Sequence, residues 1–147
     1  MNAQLAEETS APGVVTTGDH RPDFALSDLS GQTRSVSEWD GQVILLNFWA
    51  TWCAPCRKEM PELAEVHHAF ADRGFAVVGI AIDSLEPVQA FITELGIDYP
   101  MLIGELDAIE VARQFGNRLG VLPYTVILDR NGTVVLMHAG EIDRATI

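Results

Sequence analysis

Val43-Ile44-Leu45-Leu46-Asn47-Phe48-Trp49-Ala50-Thr51-Trp52-Cys53-Ala54-Pro55-Cys56 is the stretch that decides the fold. Val43 to Ala50 is a nearly continuous apolar run, the pattern of a strand covered on both faces at the centre of a sheet. The segment that follows, Arg57 to Asp72, reads as a helix. It places Cys56, Met60, Leu63, His67 and Phe70 on one stripe, at alternating steps of four and three. A C-x-x-C between a strand and a helix is the layout of a dithiol–disulfide redox site. Cys53 then stands at the helix N-terminus, where unpaired N–H groups and the helix dipole stabilise an anion. The thiolate is the attacking species in disulfide exchange, so this position suits a nucleophile.

Other uses of the two cysteines fit less well. A purely structural disulfide closing so short a loop restricts the unfolded chain little. A zinc site needs four ligands. His67 and His68 are adjacent rather than spaced, and His20 and His138 are distant in sequence. His67 falls on the apolar stripe and is expected to be a partly buried histidine with a hydrogen-bond partner, not a metal ligand.

The chain has 147 residues, 21 of them acidic and 9 basic, for a formal net charge of −12. Phosphate neutralisation requires basic clusters, so nucleic acid is excluded as a partner. No apolar run approaches the length of a membrane span. Met1 to Gly18 lacks the basic and apolar regions of a signal peptide. The residues leave two compartments open: the cytoplasm, or the cell envelope if a leader or anchor precedes Met1.

Working outward, Phe24 to Leu29, a turn at Ser30-Gly31-Gln32, and Thr33 to Trp39 read as a hairpin. Phe75 to Ile82 is a second buried strand. Glu86 to Leu95 is a helix closed by Gly96, and Tyr99 to Ile103 a short strand. Asp107 to Phe115 is a helix with Asp107 as its N-cap, closed by Gly116. Thr125 to Leu128 and Val134 to Ala139 form a hairpin about a turn at Asp129 to Gly132. Pro61 removes one helical bond and is expected to kink the helix after the cysteines. The order β-β-β-α-β-α-β-α-β-β predicts an α/β fold with a central mixed sheet flanked by helices.

Asn47-Phe48-Trp49-Ala50-Thr51-Trp52-Cys53-Ala54-Pro55-Cys56-Arg57-Lys58-Glu59-Met60-Pro61-Glu62-Leu63 resembles the thioredoxin-like thiol–disulfide oxidoreductases of the TlpA/ResA type. The likeness runs from about Pro22 to Gly140. Pro22-Asp23-Phe24 and the hairpin after it look like the N-terminal extension of those proteins, and Ser84 to Glu105 like their central helix–strand insertion. Gly120-Val121-Leu122-Pro123-Tyr124-Thr125 resembles the loop that sets a cis-proline opposite the cysteines. The residues read as a flexible segment over 1–20, with Glu141 to Ile147 as the first turns of a shortened closing helix, and the resemblance implies a thioredoxin-like domain over 21–147.

The resemblance also implies roles. Cys53 attacks and Cys56 resolves, with Pro123 opposite them. Trp52, Ala54, Pro55 and Leu122 meet the substrate, Leu122 through its backbone. Plain thioredoxin has a buried Asp where this chain has Asn47, which does not titrate. Asp83 is the substitute proton acceptor that the resemblance suggests, with a pKa raised by burial; a loop carboxylate capping the next helix is the other reading. The implied activity is reduction of protein disulfides, in envelope thiol reduction or cytochrome c maturation. The implied partners are disulfide-containing client proteins and a membrane or soluble thiol electron donor. No cofactor or metal is expected, and a monomer is. The implied place is the periplasm or cell envelope. Two alternatives remain: a thiol peroxidase of peroxiredoxin type, in which Thr51 would precede the reactive cysteine, and a soft-metal protein binding copper through Cys53 and Cys56.

Overall fold

The computed structural model describes residues 13–142. Among the described residues seven strands form one sheet: β1 Ala25–Asp28, β2 Thr33–Ser35, β3 Val43–Trp49, β4 Phe75–Ile82, β5 Met101–Gly104, β6 Tyr124–Leu128 and β7 Val134–Ala139. Their order across the sheet is β2-β1-β5-β4-β3-β6-β7. β3, β4 and β5 run parallel, while β1, β2, β6 and β7 pair antiparallel with their neighbours. Among the described residues three helices cover it: α1 Ala54–Phe70, α2 Leu85–Leu95 and α3 Leu106–Gln114. This is the expected mixed sheet, with the hairpin extending it beside the inserted strand β5.

The alternation of β3 divides its side chains between two cores. Ile44, Leu46 and Phe48 pack with Phe115, Val111 and Ala112 on the face covered by α3. Leu45 and Trp49 pack with Cys53, Cys56, Met60, Leu63 and Phe91 on the face covered by α1 and α2. Asn47 falls between Leu45 and Trp49, so its amide enters the α1 side. Both faces being covered explains why β3 reads as unbroken apolar sequence.

Several local expectations shift. Val36–Trp39 does not continue β2 but coils into a 3-10 turn, capped by Ser35, that buries Val36 and Trp39. β5 begins at Met101, two residues later than expected. Asp107 lies in the first turn of α3 rather than at its cap: its Oδ1 accepts from the Glu105 and Ala108 N–H groups, each at 2.9 Å. Pro61 sits inside α1 without ending it. Gly96 ends α2 with φ of 65°, as the sequence suggests. From Val15 onward the lead-in is bonded to the domain: Val15 N–H donates to Gln114 O, Gly18 N–H to Val134 O and Arg21 N–H to Gly132 O, each at 2.8 Å. The expectations for residues 1–12 and for a closing helix over 143–147 lie outside the described residues. No helix among the described residues is long and apolar enough to cross a membrane.

His67 behaves as expected from its place on the α1 stripe. β5 pairs with β4 only from Gly79 onward, and the Val77 N–H, short of that pairing, donates to His67 Nδ1 at 3.1 Å. Burial, then the neighbouring His68, lowers the His67 pKa below its ordinary 6.5, against a smaller opposing pull from Asp98. The unfolded chain therefore binds a proton that the folded chain does not, and stability falls as pH drops below 6.5 toward the folded value. Urea unfolding at pH 7 and pH 5 should show a loss for the wild type that is smaller in His67→Gln. An identical loss in both would assign the pH dependence elsewhere.

Candidate active site

Cys53 is the N-cap of α1, with Pro55 in its first turn. Its Sγ accepts from the Cys56 N–H at 3.3 Å, and the Arg57 N–H donates to the Cys53 carbonyl at 3.2 Å. Cys53 and Cys56 are joined as a disulfide with Cα atoms 5.3 Å apart. Cys53 is 6% exposed and Cys56 0%. Both residues are buried, but Cys53 keeps a little exposure and Cys56 none, so the pair is asymmetric.

The other expected residues surround this pair. Trp52 is 72% exposed, and Ala54 and Pro55 are exposed beside it. The Leu122–Pro123 bond is cis. Pro123 is buried and Leu122 half-buried, packing against both cores, including the one that holds Cys53 and Cys56. The loop leading to this bond is stiffened by Asn117, which the sequence reading passed over. Asn117 Nδ2 donates to Val121 O at 2.8 Å, and the Val121 N–H donates to Asn117 Oδ1 at 3.0 Å.

Asp83 is not a base poised near neutrality. Burial does push its pKa up, but hydrogen bonds from the Thr51 hydroxyl, the Thr51 N–H and the Ser84 N–H outweigh it, and the net direction is below the ordinary value. Asp83 Oδ2 accepts from Thr51 Oγ1 at 2.5 Å and from Thr51 N–H at 3.0 Å. Its Oδ1 accepts from Ser84 N–H at 2.8 Å. The expected raised pKa is therefore corrected: a carboxyl receiving three donors is held ionised. Asp83 ties the end of β4 to the turn that precedes Cys53. Asp83→Ala should lose about 1–3 kcal/mol of stability by stranding those donors, while the shape of the rate–pH profile stays unchanged. A profile that changes shape would restore Asp83 to proton transfer.

The buried carboxyl on the cysteine side of the sheet is Glu59, which sequence reasoning missed. Glu59 is 4% exposed. Its Oε1 accepts from Asn47 Nδ2 at 2.6 Å, and its Oε2 accepts from the Ile142 N–H at 3.0 Å. Burial raises its pKa above the usual 4.5, against the lowering effect of those two bonds. The Tyr99 hydroxyl, buried without a partner among the described residues, is pushed up by burial and by the charge of Glu59. Glu59 is three residues beyond Cys56 on α1, so the two side chains are neighbours on one face. Asn47 also reaches Thr125 Oγ1 at 3.4 Å, and its Oδ1 has no partner among the described residues. A buried carboxyl thus stands on the helix, held by the amide of Asn47 on the central strand. A signal existed: positions 56, 59, 60 and 63 follow the i, i+3, i+4, i+7 spacing of one helical face.

The two alternative chemistries gain nothing from this geometry. The Thr51 hydroxyl is given to Asp83. Among the described residues no three His, Cys, Asp or Glu side chains are grouped to hold a metal ion.

A mixed sheet presenting a C-x-x-C pair at a helix N-terminus, with a cis-proline loop whose Leu122 packs against the same core, defines a thioredoxin-like thiol–disulfide oxidoreductase. The chain belongs to the AhpC/TSA family, whose sequence profile matches residues 17–137. Among curated proteins it is 33% identical over 136 residues to the thiol-disulfide oxidoreductase ResA of Geobacillus thermodenitrificans, covering 90% of this chain and 75% of that one. It is 35% identical over 136 residues to the thioredoxin-like protein YneN of Bacillus subtilis, covering 88% and 75%. Among solved structures, a thiol:disulfide interchange protein of the thioredoxin family from Chlorobium tepidum superposes with a TM-score of 0.78 at 28% identity, covering 90% of this chain and 92% of that one. These likenesses, to a thiol-disulfide oxidoreductase, a thioredoxin-like protein and a thiol:disulfide interchange protein, do not favour the peroxidase or copper alternatives.

Proposed function

We propose that the protein reduces disulfide bonds in client proteins through Cys53 and Cys56. The observation that carries this reading is the asymmetry of the pair: Cys53 caps α1 and keeps a slight exposure, while Cys56 is fully enclosed one turn on. In the reduced protein the helix N-terminus favours the Cys53 thiolate. That thiolate attacks one sulfur of the client disulfide, forming a Cys53–client bond as the client S–S bond breaks and its other sulfur leaves as thiolate. Cys56 then loses its proton and attacks Cys53 Sγ. The intramolecular disulfide forms, and the second client thiolate departs. A thiol electron donor, soluble or membrane-bound, returns the pair to the dithiol.

Glu59 is the acceptor we assign to the Cys56 proton. A buried thiol resists ionisation, and an adjacent carboxylate can take its proton. Asn47 suits both states of that carboxyl. Its Nδ2 donates to ionised Glu59, and a half-turn of the amide would offer its unpaired Oδ1 to protonated Glu59. Pro123 and the Leu122 backbone present an edge along which an extended client segment can add as a strand. Trp52, Ala54 and Pro55 wall the other side.

The envelope is the compartment we favour, because the resemblance is to envelope proteins; cytochrome c maturation and general envelope thiol reduction are the processes this suits. Iodoacetamide labelling of the reduced protein across pH, followed by peptide mapping, tests the assignment of roles. Cys53 should label first and at a pH below that of an ordinary thiol. Faster labelling of Cys56 would reverse attacker and resolver.

A further inference from the structure

We propose that the groove between Trp52 and α3 selects client segments that carry a bulky apolar side chain and an acidic one close to the disulfide cysteine. This rests on the reading of Cys53 and Cys56 as a protein-disulfide reductase and names the client chemistry that the same site prefers. The groove has a volume of about 410 Å³, and its lining includes Trp52, Ile109, Arg113, Arg118, Leu119 and Leu122. It therefore joins the residue before the attacking cysteine, the loop before Pro123 and the outer face of α3.

Three observations carry the proposal. The first is exposed apolar surface. Trp52 is 72% exposed, Leu119 89% and Ile109 50%. Leu106, 83% exposed, lies one turn before Ile109 and so on the same face of α3. Isolated exposed apolar residues are ordinary, but several converging on one groove mark a contact site. The second is preorganisation. Leu119 stands on the loop that Asn117 clamps at Val121, so the apolar wall is held in place before a client arrives, and binding orders little of it.

The third is charge. No residue lining the groove is acidic, in a chain with 21 acidic and 9 basic residues. Arg113 is paired with Glu110 at 2.7 Å. The Arg118 guanidinium has no side-chain partner among the described residues, and it is exposed at the groove. A client carboxylate meeting Arg118 would gain a charge-assisted hydrogen bond in a place where the rest of the surface repels acidic segments. A strand advances about 3.3 Å per residue, so side chains within about three residues of the client cysteine reach the groove when that cysteine sits at Cys53.

The test uses two short peptides, each closed by one disulfide and identical except beside one cysteine, where one carries Leu-Asp and the other Ser-Lys. Hydroxyethyl disulfide, too small to fill the groove, serves as a third substrate. The wild type should reduce hydroxyethyl disulfide and should reduce the Leu-Asp peptide with kcat/KM about tenfold or more above the Ser-Lys peptide. The ratio should fall toward one in Leu119→Ser and be lost or inverted in Arg118→Glu. Both side chains are exposed, and the ratio cancels any loss common to the two peptides. Equal kcat/KM for the two peptides in the wild type, or a ratio unmoved by both substitutions, overturns the groove proposal while leaving the reductase reading in place. Failure of the wild type on all three substrates overturns the reductase reading itself. Mass rising with concentration in light scattering, and abolished by Leu119→Ser, would assign the groove to a second copy of the chain and also overturn the proposal.

Discussion

Cys56→Ser accumulates disulfide-linked client proteins, and Cys53→Ser accumulates none. This is the largest effect expected, because each variant stops the exchange at a different bond. With Cys56 replaced, Cys53 still caps α1 and still attacks, but no sulfur is left to resolve the mixed disulfide. With Cys53 replaced, the remaining thiol is 0% exposed and a client sulfur cannot reach it. Multiple turnover should fall to the uncatalysed rate in both. Non-reducing gels of each variant, exposed to oxidised client and then treated with an alkylating agent, separate the two outcomes. Equal trapping by both variants would mean that the shielded cysteine is accessible during turnover, against the asymmetry on which the mechanism stands.

Glu59→Gln should slow disulfide reduction by about a hundredfold at neutral pH, the scale of a lost general acid–base group. The deficit should shrink at high pH, where Cys56 ionises without help. Stability should move the other way. The Glu59 pKa is raised in the folded chain, so between its ordinary 4.5 and the folded value the folded chain holds a proton that the unfolded chain has released. Stability therefore drops as pH rises through that window, and the drop persists above it. Gln removes this loss. It can also keep both contacts, accepting from Ile142 and offering its amide N–H to the otherwise unpaired Asn47 Oδ1. At pH 7 the variant should thus be at least as stable as the wild type and much slower. An unchanged rate–pH profile would leave Glu59 as an anchor for the Ile142 backbone and no more.

The fold was legible wherever burial on both faces wrote an unbroken apolar run. β4 has the bounds that the sequence suggests, and β3 falls within its apolar run, ending at Trp49 just before Ala50; β7, a half-exposed edge strand, was placed by the turn before it. Legibility failed where a residue is buried for a reason other than strand pairing. Tyr99 is buried beside His67 and near Glu59 rather than in β5, so β5 starts later than its apolar pattern. Val36 and Trp39 are buried by a 3-10 turn whose spacing of three was read as a strand. At the site, the cysteine pair and its helix cap follow from local sequence alone, and the cis-proline loop from resemblance. Asp83 was placed at the right strand end but given the wrong partner, because Thr51 reaches it only through the pairing of β3 with β4. Glu59 was missed because a charged residue in an amphipathic helix is ordinarily assigned to the wet face. Asn117 left no signal, since its bonds to Val121 exist only once the loop has closed.

The most direct test of the central claim is a competition under single-turnover conditions. Fully reduced protein is mixed with equal concentrations of a disulfide-bonded client and hydrogen peroxide, and the thiols of each partner are counted by mass after acid quench. The account predicts that the Cys53 and Cys56 thiols disappear in step with the appearance of two client thiols, that one Cys53–Cys56 disulfide forms per client disulfide reduced, and that peroxide is consumed only slowly. Loss of the two thiols to peroxide, with the client disulfide left intact, would contradict it.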